Sequence, residues 1–477
     1  MSGLSWQSNK LNSWQKTNSS RERTPDSQVP LIVLKMKHSV FTELNSWAQK
    51  PNRKPLLLQG VRQVGKTYAI KAFAKERYEN LIYLNFETEP QFASLFAESL
   101  EPQTLIRKLE LATNQTITPR SSLLFFDEVH ECGRALTSLK YFREGAADRH
   151  IIAAGSLLGV SLAVNVSFPV GHVQFLNLWP LTFVEFLSAR GLQSLADFIL
   201  NIEIGEQIDE LIHHKLLSAF HEYCFVGGVP EVVQSYVNAE DLDVVRDLQR
   251  AILRAYQCDF SKHPDPGETL RIRKIWESLP AQLVRENRKF IFSAVAKSAR
   301  ARECESALQW LVDAGMILKA RNVEIARAPL AASSSSEVFK IFGSDIGLVG
   351  ARMQVPKSSL LDVSELFMGY RGIRSEQVVA QEIVAAGGAE LYYWTSAAQA
   401  EVDFLLEVEG QVVPVEVKSG INKKAKSLRQ FMKKYQPIAG YRFSLDRLLQ
   451  TSQVTDLPIY LAGQLSRFIG KRINASG

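Results

Sequence analysis

The sequence predicts an α/β protein: a parallel sheet with helices on its faces, followed by further domains. Three observations carry that prediction. Between Pro55 and about Pro180, four apolar stretches (PLLLQG, NLIYLNFE, SSLLFFDE and HIIAAGS) alternate with helical patterns, as the strands of a parallel sheet do. A glycine-rich loop follows the first of them and leads into a helix. The chain, at 477 residues and 53.5 kDa, is too long for one ordinary core, so roughly two to four domains are expected.

The elements follow in order. Residues 1–35 are rich in Ser, Asn, Gln, Arg and Lys and are expected to be a disordered leader. Met36 opens MKHSVFTELNSWAQK, an amphipathic helix pattern, and offers an internal start. The sheet domain is expected over 36–185. Residues 186–265 read as mostly helical, broken at Gly227-Gly228-Val229-Pro230. Residues 266–332 read as three helices (IRKIWESLPAQL, FSAVAKSAR and ECESALQWLVDAGMILKAR) running into a strand-like wing. The run ASSSSE, 332–337, makes 333–345 the expected linker, and mixed strands and helices fill 346–477.

Composition narrows the class. Hydrophobic residues make up 46% and charged residues 22%, the balance of a globular protein rather than a disordered or membrane one. The net charge of +6 permits nucleic-acid binding without requiring it. Cys132, Cys224, Cys258 and Cys304 lie far apart with no CxxC pair, which argues against a zinc site or disulfide framework. They fit a reducing, cytoplasmic setting. No signal peptide is visible at MSGLSWQSNK. The run from Ile151 to Val170 is almost long enough to span a bilayer, but its Gly, Ser, Asn and Pro residues favour a buried strand plus loops, with no membrane partner.

Gly60-Val61-Arg62-Gln63-Val64-Gly65-Lys66-Thr67 matches GxxxxGK[ST] between an apolar strand and a helix. The backbone amides of such a loop wrap phosphate oxygens, and the helix N-terminus favours their charge. Lys66 is expected to reach the β- and γ-phosphates of ATP, and the Thr67 hydroxyl to ligate Mg2+. The second half of the site is LLFFDE: Asp127 for the metal and Glu128 to polarise the attacking water. Ser156, after HIIAAG, reads either as a γ-phosphate sensor or as a strand-terminating serine. Arg143 in LKYFRE reads as a solvated helix residue in preference to an arginine finger acting across subunits.

GVRQVGKT, LLFFDEVHE, LKYFREGA, HIIAAGSLLGVSL, LWPLTFVEFL and GGVPEVV, in that order, resemble a large prokaryotic family of AAA-type ATPases that carry a C-terminal domain of unknown function. The resemblance runs from about Met36 to the C-terminus. It implies an additional-strand P-loop core with a helical lid, and Gly228 and Pro230 lining the nucleotide pocket. It also implies a winged-helix module near 266–332. This chain has Gly171-His172 where some relatives place a basic residue after glycine, so no finger is assigned there. Arg271, Arg273, Lys274, Arg285, Arg288, Lys289, Lys297, Arg300 and Arg302 cluster in the module. Contact with DNA phosphates and packing against a neighbouring domain are both open readings.

The stretch AEVDFLLEVEGQVVPVEVKSG, 400–420, reads as two apolar strands around a Glu-Gly turn, yet carries Asp403, Glu416 and Lys418. A helix pattern bearing Glu376, with Glu382 as competitor, precedes it. Helix Glu, strand Asp, then Glu-x-Lys resembles the PD-(D/E)xK nuclease fold. That likeness implies magnesium held by Glu376, Asp403 and Glu416, with Lys418 orienting or deprotonating a water. Val402 stands where the name-giving proline often sits. The Lys and Arg residues of KSGINKKAKSLRQFMKKY, with no acid among them, suit a phosphate backbone.

The expected architecture is therefore a P-loop ATPase core, helical lid, winged helix and PD-(D/E)xK-like C-terminal domain. The expected function is ATP binding and hydrolysis with action on or near DNA, Asp403, Glu416 and Lys418 being nuclease-site candidates. The alternative is a nucleotide-dependent switch or scaffold whose nuclease-like domain binds a partner without cutting. A homo-oligomer or protein partner is compatible with either.

Overall fold

Two sheets organise the computed structural model. It describes residues 39–155, 168–262, 265–285, 289–295, 301–360, 368–387, 390–396, 400–419, 426–450 and 453–476. The expected leader, Ser156, Arg288, Lys297 and Arg300 lie outside the described residues.

The first sheet contains β1 (Leu56–Gln59), β2 (Asn80–Asn85), β3 (Ser122–Asp127), β4 (His150–Ala154) and β5 (Gln174–Asn177). Its order is β2-β3-β4-β1-β5, and every pairing is parallel. β3 and β4 are buried along their whole length, which is why they appear as unbroken apolar runs. β5 is an edge strand with alternating exposure, and its short QFLN pattern was too weak to stand out in the sequence. The carboxyl ends of β1 and β3 flank that of β4. The loop after β1 and the acids ending β3 thus face one crevice, where ligands of open α/β sheets bind.

Helices Glu210–Val226, Pro230–Ala239 and Leu242–Asp259 form the mostly helical second part. Gly227, at φ +81°, ends the first of them. A Cβ on the neighbouring Gly228 would lie 2.1 Å from the Leu181 carbonyl oxygen, so only glycine lets these backbones meet. Helices Pro266–Leu283 and Ala301–Asp313 follow as expected. Of the expected middle helix, the described residues show a 3-10 turn over Phe292–Ala294.

The second sheet is mixed. It comprises β6 (Ile317–Val323), β7 (Ser334–Gly343), β8 (Leu391–Thr395), β9 (Glu401–Val408), β10 (Gln411–Val417), β11 (Gly440–Ser444), β12 (Leu449–Gln450) and β13 (Val454–Pro458). Its order is β12-β13-β11-β10-β9-β8-β6-β7. β9 and β10 form the expected antiparallel hairpin, with Glu409 and Gly410 both at positive φ, as a two-residue hairpin turn requires. Helix Lys426–Tyr435 then crosses to β11, parallel to β10.

Two expectations are corrected here. The serine run is not a linker: Ser334–Gly343 is the edge strand β7, and its last four residues alternate little because both faces are covered. Polar composition at an exposed strand start resembles a loop in sequence. The wing-like strand β6 pairs with β8 in parallel, so the β6–β7 hairpin belongs to the C-terminal sheet. One buried apolar cluster runs from Leu56 and Ile70 through Phe220 and Tyr223 to Tyr393, Val413 and Phe468, so the two sheets share a core.

Candidate functional site

The phosphate loop leaves β1 at Gly60. Its φ is +151°, and a Cβ there would stand 2.4 Å from the Leu178 carbonyl oxygen. Gln63 (φ +64°) and Gly65 (φ +91°) turn the chain so that helix Lys66–Arg77 begins directly after Gly65. Its first amide groups therefore face the crevice, a ready anion site. Val61 and Val64 are buried and anchor the loop to the core. The Lys66 ammonium donates to the carbonyls of Gly60 (2.8 Å) and Val61 (3.1 Å). Burial lowers its pKa to about 8, against the pull of Glu128 and Asp127.

Opposite the loop, the Thr67 hydroxyl donates to Asp127 Oδ2 at 2.8 Å, and the Tyr83 hydroxyl donates to the same oxygen at 3.0 Å. Asp127 is 1% exposed. A hydroxyl and a carboxylate side by side are hard oxygen donors and fit a nucleotide-bound magnesium. Glu128 adopts left-handed backbone angles (φ 48°, ψ 45°), with its amide on Asp127 Oδ1 and its carboxylate 3.3 Å from His130 Nδ1. Left-handed angles at a non-glycine residue are strained backbone of the kind that clusters at functional sites.

The helical part closes over the loop. Pro230 begins its helix with Cγ 3.4 Å from where a Gly65 Cβ would be. Arg62 pairs with Asp259, itself 1% exposed, and stands 3.6 Å from Glu87. The Tyr256 hydroxyl donates to the Arg62 carbonyl at 3.0 Å. Arg62 and Asp259 thus tie loop to lid, a pairing the motif alone did not suggest. Arg143, in the last turn of Gly133–Gly145, lies near Arg53, which precedes the amino end of β1, whereas the phosphate loop leaves its carboxyl end.

A polar line leads from this site into the second sheet. The Gly228 amide donates to Asp345 Oδ2 at 2.6 Å, while Asp345 Oδ1 caps helix Ile346–Arg352 through the Leu348 amide. Burial raises Asp345 to about 6, opposed by the amides of Gly228, Leu348 and Gly347. Gln377 pins both backbone groups of Gly343, at 2.8 and 2.7 Å, and Gln381 accepts from the Ile346 amide at 2.9 Å. Gln377 and Gln381 both stand on helix Met368–Gly387. Glu382 accepts from the Phe183 amide at 2.8 Å and the Tyr223 hydroxyl at 3.0 Å, and burial raises it to about 7. Glu382 therefore faces the first domain, which leaves Glu376 as the helix carboxylate near the hairpin.

The hairpin gathers the expected charges. Asp403 Oδ2 accepts from the Val417 amide at 2.7 Å, and Glu416 pairs with Lys418. Burial, then Glu376 and Glu416, hold Asp403 well above the usual carboxylate range. Burial also raises Glu416, against the pull of Lys418. For Lys418, burial would lower the ammonium, but Glu416, Asp403 and Glu376 outweigh it and raise it. Two further residues, Lys340 and its partner Glu401, were missed from sequence. Lys340, from β7, is 1% exposed, with Nζ 2.5 Å from Glu401 Oε1 and 3.9 Å from Glu376 Oε2. Burial works against its charge, yet Glu376, Glu401 and Asp403 hold it above the ordinary lysine value. A buried lysine inside an otherwise apolar strand, VFKIFG, was the signal available. Among the described residues, no group of three His, Cys, Asp or Glu side chains is disposed to hold a metal ion. One Glu416 oxygen, Oε2, is buried without a hydrogen-bond partner.

Three family models match parts of the chain. Residues 52–187 match the family model described as AAA domain. Residues 217–359 and 371–459 match two models described as domains of unknown function (DUF8612 and DUF4143). No curated protein matches the chain. Among solved structures, the chain is similar to the Walker-type ATPase paby2304 of Pyrococcus abyssi, at 13% identity, TM-score 0.41, over 65% of this chain and 94% of that one. It is also similar to the Aeropyrum pernix ORC1 protein in complex with DNA, at 14% identity, TM-score 0.25, over 70% and 95%. A third is C. elegans PCH-2, at 20% identity, TM-score 0.19, over 39% and 48%. No helix among the described residues is long and apolar enough to cross a membrane. By family match and by motif, the region from 52 to 187 is an AAA-type P-loop domain.

Proposed function

We propose that the chain binds and hydrolyses ATP and uses the cycle to control a nuclease-like C-terminal domain acting on DNA. The observation that carries the ATP reading is the pairing of Thr67 with Asp127 across the crevice from Lys66, with Glu128 beside them. Lys66 and the loop amides hold the β- and γ-phosphates; Thr67 and Asp127 hold magnesium, which neutralises phosphate charge. Glu128 accepts the proton of the attacking water. Lid closure is sensed through Arg62–Asp259 and through Pro230 against Gly65. The line Gly228–Asp345–Gln381 is the route by which this site biases the C-terminal sheet.

The DNA reading rests on the hairpin and on helix Lys426–Tyr435. That helix buries Leu428, Phe431 and Met432 and exposes Lys426, Arg429, Lys433 and Lys434, a basic face on the element following Lys418. Of the winged-helix reading of 266–332, the helices Pro266–Leu283 and Ala301–Asp313 remain part of this proposal, with the basic residues of that stretch facing phosphates or a neighbour, while its strand β6 belongs to the C-terminal sheet. The second reading, a nucleotide switch that does not cut, is favoured by Lys340, which already compensates part of the carboxylate charge.

Cleavage of supercoiled and linear DNA with magnesium or manganese, with and without ATP, separates the two. Cutting that disappears in Lys418→Ala supports the nuclease, and Lys66→Ala shows whether ATP gates it. No cutting by a chain that still hydrolyses ATP removes the nuclease and leaves the switch.

A further inference from the structure

We infer that Tyr83 and Asn85 form a positioning relay behind the magnesium site: Asn85 directs the single Tyr83 proton onto Asp127, which sets that carboxylate for the metal. This deepens the ATP reading and rests on it. The relay begins in strand geometry. Side chains alternate along a strand, so Tyr83 and Asn85 share one face of β2, and Phe125 and Asp127 share one face of β3. The parallel register sets Tyr83 beside Phe125 and Asn85 beside Asp127. The Tyr83 ring centroid lies 5.3 Å from that of Phe125, and the Lys71 ammonium, from helix Lys66–Arg77, stands 3.9 Å from it. Packing on the ring thus fixes the hydroxyl against Asp127.

Hydrogen-bond polarity makes the relay run one way. The Asn85 side-chain oxygen accepts from the amides of Glu87 at 3.0 Å and Thr88 at 2.9 Å, which fixes the orientation of its amide group. Its nitrogen then donates to the Tyr83 hydroxyl at 3.1 Å. A hydroxyl has one proton to give. With Asn85 donating to it, Tyr83 gives that proton to Asp127 Oδ2 at 3.0 Å. Asp127 Oδ1 takes the Glu128 amide at 3.1 Å, so the chain orients both oxygens of the carboxylate. A partner one bond behind a metal ligand typically changes metal affinity about 10- to 100-fold when it is removed. The turn that orients Asn85 also reaches the phosphate loop, since Glu87 stands 3.6 Å from Arg62.

The test is binding of labelled ATP to the full chain as magnesium is raised, for the wild type, Tyr83→Phe and Asn85→Asp. Tyr83→Phe keeps the ring and loses the hydroxyl. It is expected to need about 10-fold more magnesium to reach half of the metal-dependent gain in ATP affinity, with binding in EDTA unchanged. Asn85→Asp keeps the oxygen that accepts from the Glu87 and Thr88 amides but replaces the donor with a second acceptor. It draws the Tyr83 proton away from Asp127 and is expected to raise the magnesium requirement too. Its added negative charge alone would lower that requirement, so the direction separates the relay from simple attraction. An unchanged requirement in Tyr83→Phe, or an unchanged or lowered one in Asn85→Asp, would overturn the relay and leave the ATP reading standing. No ATP binding by the wild type would overturn both. The Asn85→Asp arm decides the matter even if Tyr83→Phe fails to fold.

Discussion

The nucleotide site and the C-terminal cluster both place carboxylates beside a lysine, but they hold them in opposite ways. In the first, Lys66 rests on two backbone carbonyls and Asp127 on two hydroxyls, neutral partners that a phosphate and its metal can replace. In the second, Lys340 and Lys418 pair directly with Glu401 and Glu416, and the burial of Asp403 raises its pKa. Opening a buried ion pair leaves an uncompensated charge, whereas exchanging neutral hydrogen bonds for a ligand's does not. The first site is built to exchange partners through a cycle. The second keeps its own cations as part of the fold.

The comparison can be broken at either end, beginning with the largest effect. Glu128→Gln is expected to slow ATP turnover by about 100-fold or more while leaving ATP affinity within a few-fold, since it removes a proton acceptor and little else. Steady-state hydrolysis with a parallel binding titration measures both, and unchanged turnover would take Glu128 out of the base role. Lys340→Met is expected to destabilise the fold by about 3–5 kcal/mol in urea unfolding without changing ATP affinity, as loss of one partner of a buried pair does. Equal loss of ATP binding would mean that the two regions are less distinct than their geometry implies.

Glu382 sharpens the contrast through pH. Its folded pKa, raised by burial from 4.5 to about 7, stands above the unfolded value, so its contribution is fully present below about 4.5 and is lost as pH rises through 7. The shift corresponds to about 3 kcal/mol. Thermal melting from pH 5 to 8 is expected to show a falling component in the wild type that Glu382→Gln removes; identical slopes would contradict the assignment. The smallest effect is Asp345→Asn, which places an amide against the Gly228 N–H. It is expected to cost about 1–3 kcal/mol and to weaken ATP binding a few-fold, because Pro230, two residues after Gly228, abuts the loop. An ATP titration that leaves affinity unchanged would remove Asp345 from the route between the sites.

How much of this was legible in the sequence follows from how local each feature is. Gly60–Thr67 and Leu124–Glu128 are short runs whose residue types the local backbone dictates, and β3 and β4 are buried along their whole length, so the patterns were plain. The hairpin was equally local, with Glu409-Gly410 marking its turn. β7 was hidden because Ser334, Ser335 and Ser336 begin it at the sheet edge, where nothing apolar is required. Lys340 and the Arg62–Asp259 pair were hidden for another reason. Their partners are 61 and 197 residues away in the chain, a separation that no spacing rule spans. The choice between Glu376 and Glu382 needed the packing of one helix, since the two point to different domains.

The central claim is that the loop Gly60–Thr67 holds ATP through Lys66. Equilibrium binding of labelled ATP with magnesium, to the wild type and to Lys66→Ala, tests it most directly. The account predicts saturable binding by the wild type and its loss, by 100-fold or more as an order of magnitude, when the charge facing the phosphates is removed. Equal affinity in a folded Lys66→Ala chain would contradict it.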